Sequence, residues 1–282
     1  MLYWLIKLLL AEPVVRAVFR PWVRGLENVP ASGAAILASN HLSVTDPVFL
    51  PVVLRWRVTF IAKAEMFTVR GPLGRLAAGF FRSVGQLPVD RSGGRASQAA
   101  IEGAVAVLRR GELFGIYPEG TRSPDGRLYR GRTGVARIAL RSGAPVVPVA
   151  MIGTEHVMAR GKVLPSVRRV GVVIGEPLDF SRYAGRADDK LVVRAVADEV
   201  MAAVQRLSRQ EYVDEYAVRA ARVRAVAEDA GREVPPLPSA GGPGGRAAPT
   251  GPPPGAPGDA AGPDAPGEPD GRRWPGDTPS NG

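Results

Sequence analysis

A chain of 282 residues with 45% apolar and 23% charged residues has room for one large globular domain or two small ones with a real core. It has no cysteine and only two histidines, His41 and His156, which excludes disulfides, thiolate metal sites, a cysteine nucleophile and a histidine-rich metal centre. The net charge of +10 calls for an anionic partner: nucleic acid, an acidic membrane surface or a phosphorylated substrate.

The chain opens on MLYWLIKLLLA, an apolar run broken only by Lys7 and about half of the ~20 residues needed to span a bilayer. No basic segment precedes it and no small-residue cleavage site follows, so it does not read as a secretory signal. Arg16, Arg20 and Arg24 recur every fourth residue beside Phe19 and Trp22. An arginine stripe next to aromatics suits an amphipathic helix lying in the headgroup layer, and residues 1–24 are expected to form such a membrane-interface segment. The competing reading is a helix packed on the domain; the exposure that LYWLIKLLL would otherwise suffer favours the membrane.

From residue 25 to 234 the periodicity alternates. Strand-like runs occupy Ala34–Ala38, Val58–Ala62, Val84–Val89, Leu113–Tyr117, Val146–Met151 and Val170–Ile174. Helical patterns run through Ser97–Arg110, stopping at Gly111, and Thr133–Ser142, stopping at Gly143. A long amphipathic stretch continues from Asp188 towards Gly231. Strands alternating with helices predict an α/β domain with a mostly parallel central sheet flanked by helices. Residues 235–282 hold 26 Pro or Gly among 48 positions, too little apolar surface to offset ordering entropy, and are expected to be disordered. Their three arginines against five acids leave +12 on the remainder, so the basic character belongs to the folded part.

Three strand ends carry the chemistry. After the first strand comes Ser39-Asn40-His41-Leu42-Ser43-Val44-Thr45-Asp46. His41 suits a general base, and a carboxylate on its other ring nitrogen would fix the tautomer. Five positions is about 140° round an ideal helix, so His41 and Asp46 can meet only if His41 lies in the loop and Asp46 in the first helical turn. Ser43-x-x-Asp46 before Pro47-Val48-Phe49-Leu50 reads as a capping box in that place. On the residues alone, a simple cap beside an incidental loop histidine stands equal with a catalytic pair.

The next strand end, Val89-Asp90-Arg91-Ser92, offers an arginine. The third, Ile116-Tyr117-Pro118-Glu119-Gly120-Thr121-Arg122-Ser123, offers close backbone approach at Gly120, a hydroxyl at Thr121 and a phosphate-binding fork at Arg122. Here the plain alternative is a polar turn with Glu119 and Arg122 paired to each other. Gly126-Arg-Leu-Tyr-Arg-Gly131-Arg132-Thr133 imitates a phosphate-binding loop with arginine for lysine, but it follows a turn rather than a buried strand. His156 reads as a surface-loop residue. No nucleic-acid motif is present, and no nucleic acid is expected as partner.

Taken in order, Asn40-His41 with Asp46, then Val89-Asp90-Arg91, then Phe114 to Ser123, then Ala144-Pro145-Val146-Val147-Pro148-Val149 resemble the four blocks of the glycerolipid acyltransferase family. Lys63-Ala64-Glu65 and Gly71-Pro72-Leu73-Gly74 match spacings common between its first two blocks. The resemblance covers roughly residues 25–210 and not the tail. It implies that His41 deprotonates a lysophospholipid hydroxyl, which attacks the thioester of acyl-CoA or acyl carrier protein without a covalent acyl-enzyme. It further implies that Asp46 orients His41, that Arg91 and Arg122 bind the acceptor phosphate, and that Glu119, Gly120 and Thr121 complete the pocket. Two arginines suit a phosphomonoester, so 1-acyl-glycerol-3-phosphate is the expected acceptor and phosphatidic acid the product, with another lysophospholipid or a glycolipid as the alternative acceptor. Neither metal nor cofactor is expected, and the cytoplasmic face of an anionic membrane is the expected place of work, by peripheral or monotopic attachment.

Overall fold

The computed structural model describes residues 12–63, 71, 86–89, 94–158 and 165–229. The apolar run 1–11, Arg91, most of the spacing motifs between residues 64 and 85, and the Pro/Gly-rich tail from 235 lie outside the described residues.

Among the described residues, strands β1 (Trp22–Arg24), β2 (Ala35–Ser39), β3 (Val58–Lys63), β4 (Gln86–Val89), β5 (Leu113–Ile116), β7 (Val146–Ile152) and β8 (Gly171–Ile174) form one sheet in the order β1-β8-β7-β2-β5-β3-β4. Its pairings are parallel except β7 with β8. A parallel sheet needs cover on both faces, and β2 at its centre has all five residues buried. The strand's two-residue period sends Ile36 and Ala38 to one face and Ala35 and Leu37 to the other. The first face packs on α3 (Gly94–Arg109), α4 (Gly134–Ser142) and α5 (Lys190–Ser208) through Leu108, Ile138, Val196 and Val200. The second packs on α1 (Glu12–Phe19) and α2 (Asp46–Val53) through Val15, Phe49 and Leu50. Each such large apolar side chain contributes roughly 1.5–3 kcal/mol on burial. The α/β class with a mostly parallel sheet flanked by helices is thus the observed one.

Two boundaries differ from expectation. Arg16, Arg20 and Arg24 do not share one helix. Pro21 disfavours helical backbone at Arg20, which takes φ 43°, and the chain then becomes β1, paired in parallel with Gly171–Val173. The sheet therefore begins at Trp22, inside the segment expected to be membrane-interface helix up to residue 24. Gly171 leaves the space for this join: a Cβ on it would stand 2.2 Å from the Trp22 ring. Phe19 meets Phe49 edge to face at 5.2 Å, so α1 does rest on α2, while Val14 and Val18 stay exposed.

The amphipathic stretch from Asp188 is likewise not continuous. Asp189 caps α5 by accepting from the Leu191 and Val192 N–H groups. The apolar stripe of α5 runs out at Ser208, and Arg209 closes the helix with φ 56°. Beyond it β9 (Tyr212–Val213) pairs in parallel with β6 (Leu128–Tyr129), and a separate helix, α6 (Ala217–Asp229), follows. Pairing with β6 satisfies the backbone of this segment, and Tyr212 packs on Leu128, Met201 and Val204.

Candidate active site

The carboxyl ends of β2 and β5 lie side by side, with Ala38 opposite Ile116. This is the crevice where open α/β sheets bind ligands. Asn40 and His41 leave β2, and Asp46 is the first residue of α2. One oxygen of the wholly buried Asp46, Oδ2, accepts from His41 Nδ1, Leu42 N–H and Ser43 N–H, each at 2.8 Å. The helix cap itself is Thr45 rather than Ser43, and Ser43 Oγ accepts from Thr45 N–H and its hydroxyl. Asp46 therefore does both jobs between which the sequence could not choose: it ties down the turn before α2 and it holds the imidazole. A carboxylate at Nδ1 places the ring proton there and leaves Nε2 as the basic nitrogen.

The imidazole is also held from below. Tyr117, one position past β5, stacks on His41 with centroids 4.0 Å apart, and Phe60 of β3 continues the stack at 5.6 Å. Burial, with the charge of Asp46 adding to it, pushes the Tyr117 hydroxyl well above its ordinary range, so it stays neutral. The sequence had no means of assigning Tyr117 this place, because only the pairing of β2, β5 and β3 makes the three rings neighbours.

Asn40 braces the same loop. Its amide clasps Met151 on β7, accepting from the N–H at 2.7 Å and donating to the C=O at 3.0 Å. The amide nitrogen also donates to Gln210 Oε1 at 2.7 Å, and Gln210 Nε2 donates to Gly126 O at 2.6 Å. Gln210 thus joins the loop after β2 to the loop after β5 from the turn that follows α5. It carries no motif and was missed at the sequence level.

Glu119, expected to help complete the acceptor pocket, is buried at the end of β5, 1% exposed. Its Oε2 accepts from His41 N–H at 3.0 Å and its Oε1 from Tyr129 N–H at 2.9 Å, so it is not paired with Arg122. Burial pushes its carboxyl up to about 8 against these two stabilising N–H bonds, with Asp46 and Asp125 adding repulsion. Ser123 N–H donates to His41 O at 2.8 Å and closes the link between the two loops. Gly120 has φ 76°, which a side chain would strain. Thr121 and Arg122 are part-exposed, and Arg122 enters no ion pair among the described residues. The structure therefore brings His41, Glu119, Gly120, Thr121 and Arg122 onto two adjoining loops, with Asp46 at the start of the helix that follows the first. His156 ends a short turn after β7, half-exposed, with Nε2 3.5 Å from Glu155 Oε1. Among the described residues no group of three or more potential ligands is placed to hold a metal.

A family model described as acyltransferase matches residues 20–152. The chain is 32% identical over 160 residues to a 1-acyl-sn-glycerol-3-phosphate acyltransferase of Bacillus subtilis, a match covering 56% of this chain and 73% of that protein. It is 31% identical over 169 residues to the chloroplastic enzyme of the same name from Brassica napus, covering 59% of this chain. It spans only 46% of the length of that plant protein and 44% of the corresponding Arabidopsis thaliana one. Among solved structures it resembles the 1-acyl-sn-glycerophosphate acyltransferase of Thermotoga maritima, with a TM-score of 0.53 at 25% identity over 70% of this chain and 78% of that one.

Proposed function

The chain belongs to the acyltransferase family, and from that premise we propose that it moves a fatty acyl group from an acyl thioester to the free hydroxyl of 1-acyl-glycerol-3-phosphate, giving phosphatidic acid. The observation that carries this reading is the 2.8 Å contact of His41 Nδ1 with a buried Asp46 oxygen. His41 Nε2 takes the proton of the acceptor hydroxyl as the oxygen attacks the thioester carbonyl carbon. The resulting imidazolium is stabilised by Asp46. Collapse of the tetrahedral adduct breaks the C–S bond, and the imidazolium returns the proton to the departing sulfur, so ester and free thiol leave together. A thioester is already activated, and one positioned base suffices for it.

Arg91 and Arg122 hold the acceptor phosphate, Gly120 and Thr121 line its pocket, and Glu119 serves by fixing the His41 backbone. The reaction balances with thioester and alcohol alone, so we assign neither metal nor cofactor. The donor is acyl-CoA or acyl carrier protein. We place the enzyme peripherally on the cytoplasmic face of an anionic membrane. In support, no helix among the described residues is long and apolar enough to cross one, and α1 exposes Val14 and Val18.

The test is thiol release from acyl-CoA in mixed micelles, with and without the lysolipid, for wild type and His41→Ala. Release that needs both the acceptor and His41 is expected, with a fall of about 10³-fold or more in the variant. Near wild-type turnover by His41→Ala would sink the mechanism, and turnover only with another lysolipid would replace the acceptor. The same protein is expected to pellet with anionic vesicles; full recovery in the supernatant removes the membrane assignment.

A further inference from the structure

Arg132 opens the turn into α4 and stands at the lysine position of the Gly126–Thr133 stretch, which follows a turn rather than a buried strand. Its N–H donates to Pro118 O at 2.8 Å, which ties it to the end of β5. Its side chain then runs across the bare α-carbon of Gly120: a Cβ there would stand 2.8 Å from Arg132 Nε and 2.9 Å from Cδ. Beyond Gly120 the guanidinium lies 5.6 Å from the centroid of Tyr216, a ring 42% exposed at the start of α6. Arg132 is exposed, and among the described residues it enters no ion pair, whereas three arginines near it do. Arg127 pairs with Asp125 and Glu211, Arg130 with Asp214 and Arg194 with Asp198. A ring face can hold a planar guanidinium while its N–H edge stays open for two parallel bonds to an oxyanion.

We propose that Arg132, seated on Tyr216, is a second phosphate-binding arginine beside Arg122, the two flanking the Gly120–Thr121 turn. Its ligand is a substrate phosphate. On the acyl-transfer reading, on which this assignment of ligand rests, both the lysolipid acceptor and acyl-CoA bring one. A phosphomonoester carries close to two negative charges at neutral pH and is better matched by two guanidiniums than by one.

The experiment is steady-state kinetics of the full chain as wild type, Arg132→Gln, Arg132→Lys and Tyr216→Leu, varying 1-acyl-glycerol-3-phosphate and acyl-CoA separately. Arg132→Gln is expected to raise one of the two KM values at least tenfold with kcat within threefold. Arg132→Lys keeps the charge but loses the fork and should recover part of the loss. Tyr216→Leu should raise the same KM about threefold. Arg109→Gln, at the opposite end of β5 from the site, should change neither. A rise for the lysolipid assigns the acceptor phosphate, and a rise for acyl-CoA the donor's. Unchanged KM values, or a fall in kcat alone, would overturn the proposal. Should the wild type turn over neither substrate, the acyl-transfer reading fails by itself and inorganic phosphate at fixed ionic strength becomes the probe. A phosphate-induced rise in Tm is then expected in wild type and His41→Ala and lost in Arg132→Gln. No rise in the wild type, or an equal rise in Arg132→Gln, overturns the assignment.

Discussion

The loop after β2 and the loop after β5 touch at His41, and they spend their polar groups differently. The first is fastened from several sides: Asn40 to Met151 and Gln210, the His41 backbone to Glu119 and Ser123, the ring to Asp46 and Tyr117. The second is fastened at Glu119 and Ser123 but carries Arg122 between them without an ion pair among the described residues, and Arg132 lies over its Gly120 in the same condition. A base works in one geometry, so its surroundings supply every constraint beforehand. An anion site works by having charge to spare, so its cations must not be neutralised by the protein.

The contrast breaks most sharply at Asp46. Asp46→Asn keeps the shape and one oxygen to accept from His41 Nδ1–H and the two backbone N–H groups, but removes the negative charge that stabilises the imidazolium. We expect kcat to fall about 10³–10⁴-fold with the far-ultraviolet spectrum unchanged. A fall below tenfold would mean that the imidazolium does not need the Asp46 charge. Next in size is Gln210→Leu, which removes the strap between the loops while Asn40 keeps Met151. It should lower kcat roughly tenfold and leave the KM of each substrate within twofold, and Gln210→Asn should not restore it, being one carbon short. A rise in KM instead would place Gln210 on the anion side.

The smallest effect concerns Glu119. Its carboxyl titrates near 8 in the fold, above its ordinary value of 4.5, so the folded chain holds that proton more tightly than the unfolded one. Stability from this group is present in full below about 4.5 and is lost as pH rises towards about 8. Melting curves between pH 5 and 9 should show Tm falling by on the order of 5 °C more in wild type than in Glu119→Gln, which cannot ionise. Parallel curves for the two proteins would show that Glu119 is ionised throughout.

Much of this was legible in the chain. Alternating strand and helix patterns determined the α/β class, because burying a strand on both faces and a helix on one leaves different periods in the residues. Motif order marked the loops after β2 and β5, where His41, Gly120, Thr121 and Arg122 lie, with Asp46 at the start of α2. What the chain could not decide was whichever partner is distant in sequence. Tyr117 lies under His41 because β5 pairs with β2, and Gln210 reaches Asn40 across 170 positions because α5 ends where it does. The single helix expected across Arg16, Arg20 and Arg24 failed partly for a local reason, Pro21, and partly for the distant one, the Gly171 strand with which Trp22 pairs. Glu119 is the clearest case, since a carboxylate in a polar motif reads as a ligand contact. Only burial beneath two backbone N–H groups turned it into a brace, because local sequence records which groups a side chain carries and not how much water the fold leaves around it.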